Sequence, residues 1–189
     1  YCHYLKITRA LDMEQKLRYI TKLLAQLLVV TCMSLPTYLI SKPVVFATDI
    51  GGDVDDTWAL AHILRSEELD LKMVLTETGQ AEYRAKVAAK LLHEAGREDV
   101  TVALGKDFGV MPDSERHQDP WVKNYKLSNY KGPLELDGVS AFIDFVESSR
   151  ETVTVIAVGP VPSLASAIKE CPEIAKKCDF FGMFGSFYK

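Results

Sequence analysis

From Pro43 onward, short runs rich in valine, isoleucine and leucine alternate with segments whose apolar residues recur at helical spacing, and this alternation constrains the fold more than any other feature. Val44–Ala47, Leu71–Thr76, Val100–Leu104, Val153–Val158 and Phe180–Phe184 read as strands. Asp55–Ser66 carries Leu60, Ile63 and Leu64 on one side of a helix. Ala81–Ala95 places Val87, Ala88, Leu91, Leu92 and Ala95 on one face of another, ended by Gly96. Gly138–Ser148 and Pro160–Lys169 read as further helices, with Pro172 opening a last turn. Strands separated by helices run parallel, and right-handed crossovers place those helices on both faces of the sheet. The expected fold is therefore α/β: an open, mostly parallel, Rossmann-like sheet that binds ligands beyond the carboxyl ends of its strands. The polar stretch from Gly105 to Leu136 is too long for a routine connection. It is either a functional loop over the site or a pair of short elements.

Composition narrows the class. With 48% hydrophobic and 25% charged residues, the chain has enough of both for an ordinary globular domain, not a disordered or collagen-like one. A net charge of −4 without a basic cluster excludes a protein built to coat nucleic acid. Cys171 and Cys178 flank a short helical turn and can pair or simply pack; there is no zinc-type Cys/His spacing. Residues 13–41 read differently from the rest. Met13 is followed by Lys16, Arg18 and Lys22, then by the apolar run Leu23–Met33, with Pro36 behind it. That order suits a secretory signal read from Met13, which leaves residues 1–12 as upstream sequence and directs the product outside the cytoplasm. A membrane anchor is the competing reading, although the run is shorter than the roughly 20 apolar residues of a bilayer span.

The most informative local feature is Thr48-Asp49-Ile50-Gly51-Gly52-Asp53-Val54-Asp55-Asp56, at the carboxyl end of the first strand. Carboxylates this close repel one another inside a fold, so something positive has to compensate. A helix start at Asp55 and Asp56 supplies part of it, and an acidic cap on a solvated turn is the bland interpretation. Gly51-Gly52, however, lets the backbone return and bring Asp49 toward Asp55 and Asp56. Converging hard oxygens suit Ca²⁺ or Mg²⁺.

The stretch TDIGGDVDDTWAL, Thr48–Leu60, resembles the amino-terminal aspartate signature of the nucleoside hydrolases, the inosine-uridine preferring family. Thr78–Lys86, Asp137-Gly138, Ala157-Val158-Gly159-Pro160 and Gly182–Ser186 follow in matching order, so the resemblance covers residues 42–189. It implies a ribonucleoside N-glycosidase in which a Ca²⁺-bound water is activated by Asp49. Asp49 would be both metal ligand and general base, Asp56 the second carboxylate ligand, and Val158 a ligand through its backbone carbonyl. Asp55, Gln80 and Met183 would contact the ribose of a small nucleoside substrate, and Asp53 has no assigned role. A homo-oligomer is compatible with this reading.

Some positions depart from the pattern: Ala47 stands where an aspartate is usual, Pro162-Ser163 where Thr-Asn is common, and Phe184 where glycine is usual. The later metal and ribose ligands of the family and its leaving-group acid have no counterpart here. The 42–189 segment is thus expected to be the first part of the hydrolase domain and to hydrolyse nothing alone. Two rivals stay open: a degenerate sugar- or nucleoside-binding member of the same fold, and a Mg²⁺-dependent phosphohydrolase. His62 and His93 read as surface or packing residues, His117 as a candidate for base recognition, and Trp58 as a core residue.

Overall fold

The first strand, β1 (Lys42–Thr48), is buried over its last five residues, as a strand covered on both faces must be. The computed structural model describes residues 41–107 and 115–183, with Arg18, Thr21 and Lys22. The chain divides into two units, Tyr1–Leu39 and Ile40–Lys189, and the sheet belongs to the second. After β1 come α1 (Asp55–Arg65), β2 (Leu69–Thr76), α2 (Ala81–Glu94) and β3 (Thr101–Leu104). Then follow α3 (Asp119–Val122), β4 (Leu134–Glu135), α4 (Gly138–Ser148), β5 (Val153–Val158), α5 (Pro162–Glu170) and β6 (Cys178–Met183). The order across the sheet is β4-β3-β2-β1-β5-β6, and every pairing is parallel.

Side chains alternate across β1 because successive Cβ atoms of a strand point to opposite faces. Val44 and Phe46 join Leu60 and Ile63 of α1 and Val87, Ala88 and Leu92 of α2 in one core cluster. Val45 and Ala47 join Phe142 and Val146 of α4 and Leu164 and Ala167 of α5 in the other. The expected layering, with helices on both faces, is what the chain adopts.

The stretch expected to be either a loop or short elements contains elements. Among the described residues it holds α3, a 3-10 turn at Leu127–Asn129 and β4, which extends the sheet beside β3. The buried Tyr130 anchors it by donating its hydroxyl to the Val100 carbonyl, and the Val102 amide donates to the Pro133 carbonyl at 2.9 Å. Trp58 departs from expectation: it is 70% exposed. Helix α1 buries Asp56, Leu60 and Ile63, and a residue two positions after Asp56 lies about 200° around the helix from it, toward solvent. Cys171 and Cys178 are free thiols, both half-buried.

The expected export signal lies outside the described residues, apart from Arg18, Thr21, Lys22 and Ser41. Among the described residues no helix is long and apolar enough to cross a membrane.

The strand ends define where a ligand can sit. Thr48 is in register with Thr76 on one side and Val158 on the other, and Val158 with Met183. Successive strands go one way from β1 through β2 and β3 to β4, whereas β5 and β6 lie on its other side. The order reverses between β1 and β5, which opens a crevice beyond their carboxyl ends.

Candidate functional site

At the end of β1, Thr48 closes the acidic loop with one hydroxyl. Its Oγ1 donates to Asp56 Oδ2 at 2.7 Å and accepts the Ile50 amide at 3.0 Å. Gly51 turns the chain back with φ +105°, and a Cβ there would lie 2.7 Å from Cε1 of Tyr83, so the position admits only glycine. The fold-back brings Asp49 and Asp56 together. Burial, resisted by the Thr48 hydrogen bond, pushes the Asp56 carboxyl up to about 7; the charge and hydrogen bonding of Asp49 add to the shift, as does the charge of Asp55. Asp55 itself is exposed and accepts the Asp56 amide at 3.1 Å, while Asp53 faces solvent.

Positive charge comes from a residue absent from the sequence-based site. Arg84 on α2 is 4% exposed, and its Nη1 donates to the Ile50 carbonyl at 3.0 Å. Its Nε donates to the carbonyls of Thr78 at 2.6 Å and Gly79 at 2.8 Å. Burial lowers its pKa, and the charges of Asp49 and Asp56 oppose that shift. The turn it grips is strained: Thr78, Gly79 and Gln80 have φ of 39°, 53° and 53°, left-handed values that cost a β-branched threonine most. Gln80 is thereby set at the start of α2.

A second buried acid lies opposite. Glu77 follows β2 directly, is fully buried, and accepts the amides of Ser163 at 2.9 Å and Leu164 at 3.2 Å at the start of α5. Burial raises its pKa; the hydrogen bonds from Ser163 and Leu164 pull it back, and the charge of Asp49 raises it further. Between β5 and α5, Gly159 has φ +94°, and a Cβ on it would lie 2.1 Å from Asp49 Oδ1. The Asp49 carboxylate therefore rests against bare backbone, one residue beyond Val158.

The 115–122 segment packs onto the loop. Gln118 Nε2 donates to the Asp53 carbonyl at 3.2 Å and lies 2.7 Å from Thr57 Oγ1. The Tyr83 hydroxyl donates to the Gly51 carbonyl at 2.8 Å and accepts the Gln118 amide at 3.1 Å, with the Arg116 guanidinium 4.6 Å from the ring centroid. A cleft of about 260 Å³ opens beside it, lined by Gln80, Tyr83, Lys86, Asp107 and Arg116 among others. His117 Nδ1 lies 3.7 Å from Asp53 Oδ1, both groups exposed.

The sequence-derived residues thus fall along one edge. Asp49, Asp55 and Asp56 share the loop after β1; Val158 ends the neighbouring β5; Met183, 68% exposed, ends β6; and Gln80 lies beyond β2. Asp49 and Asp56 meet, whereas Gln80 and Met183 flank them from strands on opposite sides. Among the described residues no group of three or more His, Cys, Asp and Glu side chains converges to hold a metal. The donors present nevertheless suit a hard cation: two neighbouring carboxylates, one of them buried, beside the carbonyl end of β5. Glu77, Arg84, Tyr83 and Gln118 are not among the sequence-derived site residues. Tyr83 and Arg84 lie within the matching Thr78–Lys86 stretch, and Glu77 is an acid directly continuing an apolar strand, whereas Gln118 lies in none of the matching stretches.

The model of the family described as "Inosine-uridine preferring nucleoside hydrolase" matches residues 44–189. A relative called "Probable uridine nucleosidase 2", from Arabidopsis thaliana, is 28% identical over 156 residues, covering 78% of this chain and 48% of its own length. "Non-specific ribonucleoside hydrolase RihC" of Escherichia fergusonii is 28% identical over 138 residues, covering 69% of this chain and 44% of its own. Among solved structures, a plant nucleoside hydrolase, the PpNRh1 enzyme, superposes with a TM-score of 0.65 at 27% identity, over 77% of this chain and 48% of that one. The inosine-uridine preferring nucleoside hydrolase of Bacillus anthracis gives 0.65 at 23% identity, over 78% and 52%, and speaks for the fold. The chain spans about half the length of the relatives it matches.

Proposed function

Because this chain belongs to the inosine-uridine preferring nucleoside hydrolase family, we propose that the complete protein hydrolyses the N-glycosidic bond of ribonucleosides to free base and ribose. The observation that carries this reading is the contact of Asp49 with the buried Asp56 at the β1/β5 switch point, against Gly159. Bond cleavage develops positive charge at C1′ and O4′ of the ribose, and a nest of carboxylates stabilises it. Asp49, half-buried and resting against Gly159, takes the proton of the attacking water. Asp55, exposed at the rim, accepts from ribose hydroxyls, while Gln80 and Met183 border the sugar. Asp56, tied to Thr48, holds its oxygen toward Asp49.

We assign Ca²⁺ as the cofactor: Asp49, Asp56 and the Val158 carbonyl would hold it, and once bound it would orient the ribose hydroxyls and make the water more acidic. A cation there would offset the burial that raises the Asp56 carboxyl, and with it the charges of Asp49 and Asp55. The segment from Met13 to Ser41 is proposed to export the product, which a reporter fused after Ser41 tests by appearing outside the cytoplasm. The function itself is tested on the complete protein with p-nitrophenyl riboside and p-nitrophenyl phosphate. Riboside cleavage lost on chelation supports the hydrolase. Phosphate release instead supports a phosphohydrolase, and Ca²⁺ binding without turnover supports a degenerate binding member.

A further inference from the structure

Glu77 is a fully buried acid with no part in the chemistry above, yet it is tied to both walls of the site. Its amide donates to the Thr48 carbonyl at 2.8 Å, extending the β1–β2 ladder to the residue that precedes Asp49. Its carboxylate reaches across to the first turn of α5. A helix leaves its first amides without intrahelical partners, and here Pro162 has none to offer while the N-cap Val161 makes no side-chain bond. Glu77 takes the next two, from Ser163 and Leu164, and so caps α5 from 86 positions away in the chain. The cap is braced in turn, since Ser163 Oγ accepts the Lys106 amide from the end of β3 at 2.7 Å.

Between the two anchors lies the turn on which Asp49 rests. Gly159 touches the Asp49 carboxylate, Val158 precedes it, and only Pro160 and Val161 separate it from the capped helix. Whatever fixes α5 relative to Thr48 also fixes Gly159 relative to Asp49. We propose that Glu77 is a positioning residue for the cation site, clamping the start of α5 to the end of β1 and so setting the separation between the Asp49 carboxylate and the Val158 carbonyl. Glu77 touches neither cation nor substrate. The inference rests on the cation site assigned to Asp49, Asp56 and Val158.

The test measures Tb³⁺ binding, as a probe for a hard cation in an oxygen site, on the full chain and its Glu77→Gln and Asp49→Asn variants. Glu77→Gln keeps the size of the side chain but leaves one helix amide without its acceptor. Its Tb³⁺ affinity should fall about tenfold, the usual effect of losing a partner that orients metal ligands. Its luminescence lifetimes in H₂O and D₂O should report an additional bound water, as a ligand moves out of reach. A purely structural role would lower the melting temperature without altering affinity or lifetime in the folded chain, and that result overturns the proposal. Should Glu77→Gln fail to fold, Glu77→Asp retains the charge on a side chain too short to reach both amides. Weakened Tb³⁺ binding by folded Glu77→Asp supports the clamp, and unchanged binding overturns it. Asp49→Asn separates the two claims: if that variant binds Tb³⁺ like the wild type, the cation site itself is wrong, whereas weakened binding there with none in Glu77→Gln removes only the clamp.

Discussion

Asp56 carries the clearest electrostatic consequence of a single residue. Its carboxyl is pushed up to about 7 in the folded chain from an ordinary value of 3.8, chiefly by burial. The folded state therefore holds this proton more tightly than the unfolded state, and stability falls as pH rises between those two values. In chelator, thermal melts should show the melting temperature dropping from pH 5 to pH 7, and Asp56→Asn should flatten that slope. Added Ca²⁺ should raise the melting temperature more at pH 8 than at pH 5, because proton and cation compete for the same carboxylates; an equal rise at both would contradict the assignment. Arg84 makes a different prediction. Replacing it with methionine leaves the carbonyls of Ile50, Thr78 and Gly79 buried without their donor, a loss of about 3 kcal/mol measurable by urea denaturation.

At the scale of elements, one phenol joins three pieces. The Tyr83 hydroxyl on α2 holds the Gly51 carbonyl of the acidic loop and the Gln118 amide ahead of α3. Tyr83→Phe should cost about 1–2 kcal/mol and accelerate hydrogen exchange at the Gln118 amide while leaving the β1 amides protected. Uniform acceleration throughout the sheet would instead mean global destabilisation. The strands and longer helices were legible because their patterns are local: Val44–Ala47 has no polar face, and Leu60 and Ile63 repeat at helical spacing. The acidic loop was legible because its residues lie within one turn of chain. Contacts across long separations were not. The Thr57–Gln118 pairing spans 61 positions and the Glu77–Leu164 bond 87, and no periodicity carries that information. The departure at Trp58 has another origin, since aromatic character favours the core while its position opposite Leu60 and Ile63 on the helix turns it to solvent.

Over the whole molecule, the family match and the all-parallel sheet agree with each other, and both cover residues from β1 onward. The chain spans about half the length of its matched relatives, and the proposed donors on it are two carboxylates and one carbonyl, against the six to eight oxygens Ca²⁺ usually takes. The proposed function turns on whether Asp49 takes the proton from water in the cleavage of an N-riboside. Its most direct test is the release of ribose from uridine and inosine by the complete protein, comparing wild type with Asp49→Asn at saturating Ca²⁺. With Asp49 as the base, kcat should fall by at least about 10²-fold, the usual scale for loss of a general base, and chelation should abolish the wild-type activity. Turnover unchanged in Asp49→Asn, or undiminished by chelation, would contradict it.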